Sequence, residues 1–393
     1  MIAQDVISLE NSKQLPSYKK LPIVLTRGSG PYVWDASGRR YLDFYGGHCV
    51  SLLGHCPPEV VSAVTAQANR LLFYSNLVYS PVRAEAASLI CEMAPPHIEQ
   101  VYFCNSGTEA NETALKIARK ATGKSRVLSM IGGFHGRTIG SLGVTWGKEY
   151  REAHENVLPP SVFVPFGDAD AAARAFEAHD DIAAVILEPI QSMAGIRVAD
   201  PTYFAQLEAL CEKNGAILIF DEIQTGVGRT GTFSISQQIG VEPDLITLAK
   251  SLGSGIPVGA VLASSALAGS VNVGDHGSTF GGGMIAMAAV SATLKTLRSS
   301  GLMANARIVF ETVKETLSPF VRDVRGAGCL IGVETDLPSS ELLPDLRNAG
   351  LIAGGSDDSH TIRLMPPINI TEEQLAEGLN IMLETLKQKS VAA

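Results

Sequence analysis

Four separate segments of this chain end an apolar run in polar residues suited to a single anionic, ring-shaped ligand. The first is Asn105-Ser106-Gly107-Thr108, directly after VYFC and directly before a helix-like stretch. Free backbone N–H groups at a helix N-terminus make a natural phosphate seat, although Ser and Thr are equally ordinary N-caps. The second is Asp221, which closes ILIF. An acid there caps a loop, or else pairs with the protonated ring nitrogen of a cofactor used as an electron sink. Glu222 comes next, and the sequence alone leaves open which carboxylate points inward. The third is Lys250, after DLITLA. A lysine is seldom placed at the end of a buried strand without a partner. A desolvated amine near other cations or a phosphate has a lowered pKa and forms imines; the alternative is a side chain that snorkels to water. The fourth is Phe134-His135-Gly136-Arg137-Thr138, where an aromatic ring could stack on a flat group and Arg137 could grip a carboxylate through two parallel bonds. Alone, that segment is a turn with an arginine in it.

Two other patterns invite chemistry and fail on context. Residues 226–231 read GVGRTG and match GxGxxG after a strand, but no long helix pattern follows. The next acids, Glu242 and Asp244, fall short of the ~20-residue offset of a dinucleotide site. His48-Cys49 and His55-Cys56 repeat at seven residues without the tight pairs that hold zinc, so no metal is expected. No Walker-type loop occurs.

The elements that must position these residues alternate. VYFC (101–104), SRVLSM (125–130), AAVILEPI (183–190), AILIFDEI (216–223) and DLITLAKS (244–251) are short apolar runs separated by helical patterns, which implies a mostly parallel α/β sheet. In 109–120, Ala110, Ala114, Ile117 and Ala118 share a face. Lys116, Arg119 and Lys120 crowd the C-terminal turns, where they complement the helix dipole, and Gly123 is a stop signal. The last hundred residues read instead as helices (MIAMAAVSATLKTL, ARIVFETVKETL), short strands (CLIGVET, TIRLMPP) and a final helix from about 371, a second, smaller α+β unit.

Composition narrows the function. At 393 residues with 46% hydrophobic and 18% charged residues, the chain is long enough to bury a large core. A net charge of -9 argues against nucleic acid as a partner, because a phosphate backbone needs a basic footprint. No apolar run approaches the roughly 20 residues of a membrane helix. The opening MIAQDVISLENSKQ lacks the pattern of a signal peptide. Six scattered cysteines read as reduced thiols, so a cytoplasmic location is expected.

Taken together, NSGTEANETALKIAR, FHGRT, LEPIQ, ILIFDEIQTGVGRTG, TLAKSLGSGIPVGA and HGSTFGG resemble the class III (ω-amino-acid) aminotransferases of pyridoxal 5'-phosphate (PLP) fold type I, in the same order and spacing from about residue 20 to 385. The resemblance implies a large PLP-binding domain at 61–285, and a small domain from residues 286–393 packed with an N-terminal segment at 1–60. It implies that Lys250 is the Schiff-base lysine and proton shuttle and that Asp221 partners the ring nitrogen. Phe134 would stack on the ring and Gln224 would bond its hydroxyl. Ser106, Gly107 and Thr108 would bind the phosphate, with Glu188 of LEPIQ beside the cofactor. Thr279 would reach the phosphate of a neighbouring subunit, which implies a homodimer with shared active sites. Within the class, GPYVWDASGRRYLDFYGGHCVSLLGHCPPEVV, YSNLVYS and FHGRT are similar to the acetylornithine aminotransferases. Arg137 then matches the arginine for the distal carboxylate, and Arg363 the arginine for the carboxylate next to the reacting carbon of 2-oxoglutarate. Ornithine, 4-aminobutyrate or an α-amino donor, or a decarboxylase or aminomutase on the same scaffold, are the alternatives.

Two departures stand out. Many relatives carry a glutamate that covers the Arg363 equivalent while the ω-amine donor is bound; here the segment reads Glu188-Pro189-Ile190-Gln191-Ser192-Met193-Ala194-Gly195, and Met193 stands in its place. A methionine cannot form an ion pair with a guanidinium, so Arg363 is expected to stay open, or an acid elsewhere to compensate. Gly283-Met284 replaces an Asn-Pro common among relatives.

Overall fold

The computed structural model describes the backbone of residues 2–392 and side chains through residue 389. Seven strands form the central sheet in the order Ile98–Cys104, Gly259–Ser264, Leu245–Leu248, Ile217–Asp221, Ile182–Leu187, Arg126–Met130, Ser161–Val164. All neighbours run parallel except Gly259–Ser264, which is antiparallel to both of its partners. The central strands read IAAVIL, ILIFD and LITL, and Ile182–Leu187 and Leu245–Leu248 are buried at every position. A strand covered on both faces by helices has no solvent side to make polar, which is why these runs do not alternate. Two strands of this sheet were not singled out from the sequence. Ser161–Val164 is only four residues long and mostly half-buried at the edge, and Gly259–Ser264 breaks the strand–helix alternation.

The helix Gly107–Thr122 packs across this sheet, and both of its ends are written in the sequence. Ser106 Oγ accepts the Glu109 N–H at 3.3 Å as the N-cap, and the Glu109 carboxylate reaches back one residue further to accept the Asn105 N–H at 2.7 Å. Gly123 closes the helix at φ +68°. Its buried residues are Ala110, Ala114, Leu115, Ile117 and Ala118, together with two polar ones, Asn111 and Thr113.

A smaller α+β region is built from both ends of the chain. Leu25–Ser29, Tyr32–Asp35 and Arg40–Asp43 form an antiparallel meander whose last strand pairs in parallel with Leu351–Ile352, Leu351 opposite Leu42. Asp323–Ala327, Leu330–Glu334 and Thr361–Leu364 form an antiparallel sheet, and the helix Glu372–Ala392 follows. Among the described residues no helix is long and apolar enough to cross a membrane.

Candidate active site

Parallel strands in an open sheet present their carboxyl ends, and the loops beyond them, to one side. Here Ile98–Cys104 delivers Asn105 to Thr108, Arg126–Met130 leads to Phe134 and Arg137, Ile182–Leu187 to Glu188, Ile217–Asp221 to Asp221 and Gln224, and Leu245–Leu248 to Lys250. All of these residues line one cavity of about 610 Å³.

Asp221 is 3% exposed and its carboxylate is fixed from three directions. Oδ2 accepts from Asn111 Nδ2 at 2.8 Å and pairs with His135 Nδ1 at 2.8 Å; Oδ1 accepts the Ile223 N–H at 3.1 Å. Asn111 is itself held, donating to the His135 carbonyl at 2.7 Å and accepting from Thr247 Oγ1 at 2.8 Å. The ambiguity between neighbouring acids is thereby resolved. Glu222 turns away from the cavity and accepts from Ser234 Oγ and from the Ile235 N–H at 2.8 Å.

Lys250 follows its strand with φ +44°, a left-handed conformation that a non-glycine residue keeps only when its surroundings hold it there. Its side chain reaches the cavity. Among the described residues its amine takes no hydrogen bond or ion pair. Desolvation lowers its pKa from the usual lysine value, and Cys49, Asp221 and Glu188 oppose that shift. The buried Glu188 accepts the Phe134 N–H at 2.9 Å and the Ser192 N–H at 3.3 Å, while burial pushes its pKa up to about 7. It thus braces the turn that carries Phe134. Gln224 Oε1 accepts from Ser192 Oγ at 3.0 Å.

At the N-terminus of Gly107–Thr122, Ser106 and Thr108 flank a glycine whose space is already taken: a Cβ on Gly107 would lie 2.6 Å from Ile223 Cδ1. The Thr108 hydroxyl is bonded to those of Ser141 (2.7 Å) and Thr138 (2.9 Å). These residues fit PLP: free N–H groups at a helix start for its phosphate, a fixed buried carboxylate for its ring nitrogen, and a half-buried amine without a hydrogen-bond partner for its aldehyde.

The two arginines differ. Arg137 is exposed at the cavity wall, its guanidinium 5.0 Å from the Tyr150 ring centroid. Arg363 is 2% exposed and does not line the cavity itself. It is not open, as the Met193 departure had suggested. Nε donates to the Gly355 carbonyl at 2.6 Å, Nη1 approaches Ser192 Oγ at 3.1 Å and Met193 Sδ at 3.2 Å, and Nη2 lies 3.5 Å from the Tyr45 hydroxyl. The thioether serves as a weak neutral acceptor. An acid does stand nearby: the Asp357 N–H donates to the Met193 carbonyl at 2.8 Å, and the Arg363 charge opposes the rise that burial imposes on the Asp357 carboxyl.

Thr279 is exposed and lies apart from these residues, on the wall of a second, larger cavity with Leu77, Tyr79 and Val273. The GVGRTG segment forms a buried turn rather than a helix start. His55 pairs with Asp43 at 2.8 Å, Cys56 is exposed, and His48 bonds the Tyr45 hydroxyl. Sequence reading gave no role to Asn111, the His135 side chain, Tyr45 or His48. The one legible signal was Asn111, a polar residue on the same helix face as Ala114 and Ala118.

Comparison with known proteins agrees with this geometry. The aminotransferase class-III family model matches residues 14–386. An acetylornithine aminotransferase of Methanopyrus kandleri is 42% identical over 387 residues, covering 98% of this chain and 99% of that protein. One from Listeria monocytogenes is 38% identical, covering 96% and 98%. Among solved structures, the ornithine aminotransferase of Toxoplasma gondii superposes with a TM-score of 0.94 at 28% identity over 100% of this chain and 97% of that one. A second structure of the Toxoplasma enzyme has PLP at partial occupancy in its active site. The acetylornithine aminotransferase of Elizabethkingia anophelis gives 0.87 at 29%, covering 98% and 99%. With a family match over nearly its whole length and a cavity suited to the cofactor, the chain belongs to the class-III aminotransferases and is a PLP-dependent transaminase.

Proposed function

We propose that this enzyme moves the ω-amino group of N-acetylornithine, or of a similar N-acylated diamino acid, to 2-oxoglutarate, giving a semialdehyde and glutamate. It does so as a cytoplasmic homodimer in arginine biosynthesis. The observation that carries the reading is the joining of Lys250 and Asp221 in one cavity, with Arg137 on its wall and Arg363 behind it, joined to lining residues through Ser192 and Tyr45. Two guanidinium groups suit two substrates that each carry a carboxylate beyond the reacting carbon. The names of these curated relatives favour the acetylated donor, and ornithine is the second reading, supported by the Toxoplasma structure.

When bound, PLP supplies a ring that accepts the electron pair left as the donor's C–H bond breaks. Lys250 would hold it covalently, Asp221 would keep its ring nitrogen protonated, Gln224 would bond its hydroxyl, and Phe134 would cover one face. Arg137 grips the α-carboxylate of the donor, which leaves the distal amine directed at the lysine. Lys250 Nζ would be the base that removes the proton from the donor carbon and the acid that returns it. Arg363 takes the carboxylate next to the reacting carbon of 2-oxoglutarate in the return half. The exposed apolar side chains around Thr279 (Leu77, Tyr79, Val273, Phe280) support a subunit interface there.

The test is a half-reaction on holoenzyme without keto acid, following loss of the cofactor's visible absorption with Nα-acetylornithine, ornithine, 4-aminobutyrate and glutamate in turn. Fast bleaching by acetylornithine and glutamate alone supports the proposal. Bleaching by glutamate and a different amine discards the acetylated donor.

A further inference from the structure

Residues 46–49 form a left-handed turn. Gly46, Gly47, His48 and Cys49 have φ values of +59°, +57°, +70° and +65°. Glycine adopts this conformation freely, but each L-residue in it costs about 1–2 kcal/mol. Two consecutive ones persist only because the surroundings impose them. Asp43 Oδ1 accepts the N–H groups of Tyr45 and Gly46, both at 2.9 Å, and the Cys49 N–H donates to the Tyr45 carbonyl at 3.0 Å. The turn lifts the His48 ring into the wall of the Lys250 cavity and sets it edge-on to Tyr45, centroids 5.2 Å apart, with Nδ1 on the Tyr45 hydroxyl.

The direction of the contacts follows from the tautomer of His48, and the one with its proton on Nε2 leaves Nδ1 as an acceptor. Burial, with the Lys250, Arg363 and Arg137 cations, pushes His48 down to about 4, so its imidazole is neutral near pH 7. The single phenolic proton of Tyr45 then goes to Nδ1, and the phenolic oxygen is left to accept from Arg363 Nη2, 3.5 Å away. An O–H that already donates is a better acceptor. The groups bonded to Arg363 are thus all neutral, and two of them are tied to residues that line the cavity: Ser192 to Gln224 and Tyr45 to His48.

We propose that Tyr45, positioned by His48, is a specificity-determining residue of this transaminase: a neutral cover on Arg363 that a substrate carboxylate must displace. The inference rests on Arg363 being the site for the carboxylate next to the reacting carbon. It predicts that an amine lacking a carboxylate at that end is handled with the cover in place, whereas glutamate and 2-oxoglutarate compete with the Tyr45 oxygen.

The experiment compares single-turnover half-reactions of holoenzyme with glutamate and with the best ω-amine donor for wild type, Tyr45→Phe, Arg363→Lys and the double variant, with cofactor content and thermal midpoint checked for each. Tyr45→Phe keeps the ring and removes the competing oxygen. The glutamate-to-donor ratio of specificity constants should rise about three- to tenfold, the worth of one weak bond to a charged group. The change should sit in the apparent affinity for glutamate rather than in the limiting rate, and it should vanish in the Arg363→Lys background. His48→Asn, which tolerates the left-handed turn, should shift the ratio the same way by less. An unchanged ratio, or a rise that survives in Arg363→Lys, overturns the proposal. If wild type fails to react with glutamate, or Arg363→Lys leaves glutamate's affinity unaltered, the reading of Arg363 itself is what falls.

Discussion

Replacing Asn111 with leucine tests whether the aim of Asp221 depends on a residue that never touches the ligand. Asn111 is fully buried and makes three hydrogen bonds: to the Asp221 carboxylate at 2.8 Å, to the His135 carbonyl at 2.7 Å, and from Thr247 Oγ1 at 2.8 Å. Leucine is of similar volume and keeps the packing. The charge-assisted bond is worth about 1.5–3 kcal/mol, and the carbonyl and hydroxyl left unpaired cost about 1 kcal/mol or more each, so the total is about 4 kcal/mol. Thr247→Val, which breaks only the outermost bond, should cost about 1–2 kcal/mol. Catalysis should follow, because a carboxylate freed to shift by a fraction of an ångström no longer meets its partner squarely. The donor half-reaction of Asn111→Leu should slow by at least tenfold, on the order of a small misplacement. The assays are the urea midpoint of the holoenzyme and the single-turnover rate of cofactor bleaching. If Asn111→Leu costs no more than Thr247→Val in either readout, Asn111 is not the brace.

Three further outcomes follow from the site. Glu188 has its pKa raised from 4.5 to about 7 by burial, so its ionised form weakens the fold as pH climbs through that window and the penalty is absent below it. Glu188→Gln should therefore gain up to about 3 kcal/mol relative to wild type between pH 4.5 and 8 in urea titrations, and a flat difference refutes the assignment. Met193→Glu places a carboxylate where the thioether now lies 3.2 Å from Arg363 Nη1. It should sharpen discrimination between the ω-amine donor and the keto acid, and if neither specificity constant moves, Arg363 is not the acceptor site. Thr279→Ala should lower PLP retention in dialysis by about five- to thirtyfold if its hydroxyl reaches a partner's cofactor, while an unaltered affinity removes Thr279 from that role.

What the sequence disclosed depended on the range of the contact. Lys250 and Asp221 were visible because each follows a wholly apolar run, and a chain that alternates strand and helix has only one face on which to gather such ends. Which of Asp221 and Glu222 faces inward could not be read there, since successive side chains leave a strand on opposite sides and the starting phase is set by packing. Asn111 was half visible, a polar residue on an alanine-rich helix face, but its target lies 110 residues on. Tyr45 and Arg363 are 318 residues apart and meet because Leu351–Ile352 pairs with Arg40–Asp43 beside them. The Gly46-Gly47 pair signals a turn, yet nothing local says that His48 and Cys49 continue it with positive φ. The expectation of an open Arg363 failed for the same reason: one missing acid was legible, and the four neutral groups around it, from Tyr45, Ser192, Met193 and Gly355, were scattered over three segments.

That neutral wrapping bears on how the two substrates are chosen. Arg137 is exposed, so a carboxylate reaching it gives up and regains much the same surroundings, and its attraction is screened by water. Arg363 is buried and, among the described residues, forms no ion pair. A carboxylate arriving there would make the first direct ion pair to that guanidinium in a low-dielectric setting, where the gain is large if the geometry is good and the loss is large if it is not. A misplaced or missing carboxylate is therefore penalised more at Arg363 than at Arg137. On the proposed roles of the two arginines, the keto acid should be chosen narrowly, by a group next to its reacting carbon, whereas an amine donor held at its far end by the solvated Arg137 should vary more in length and acylation. If both arginines bind substrate as proposed, the two sites should differ in stringency because their cations differ in solvation, not in kind.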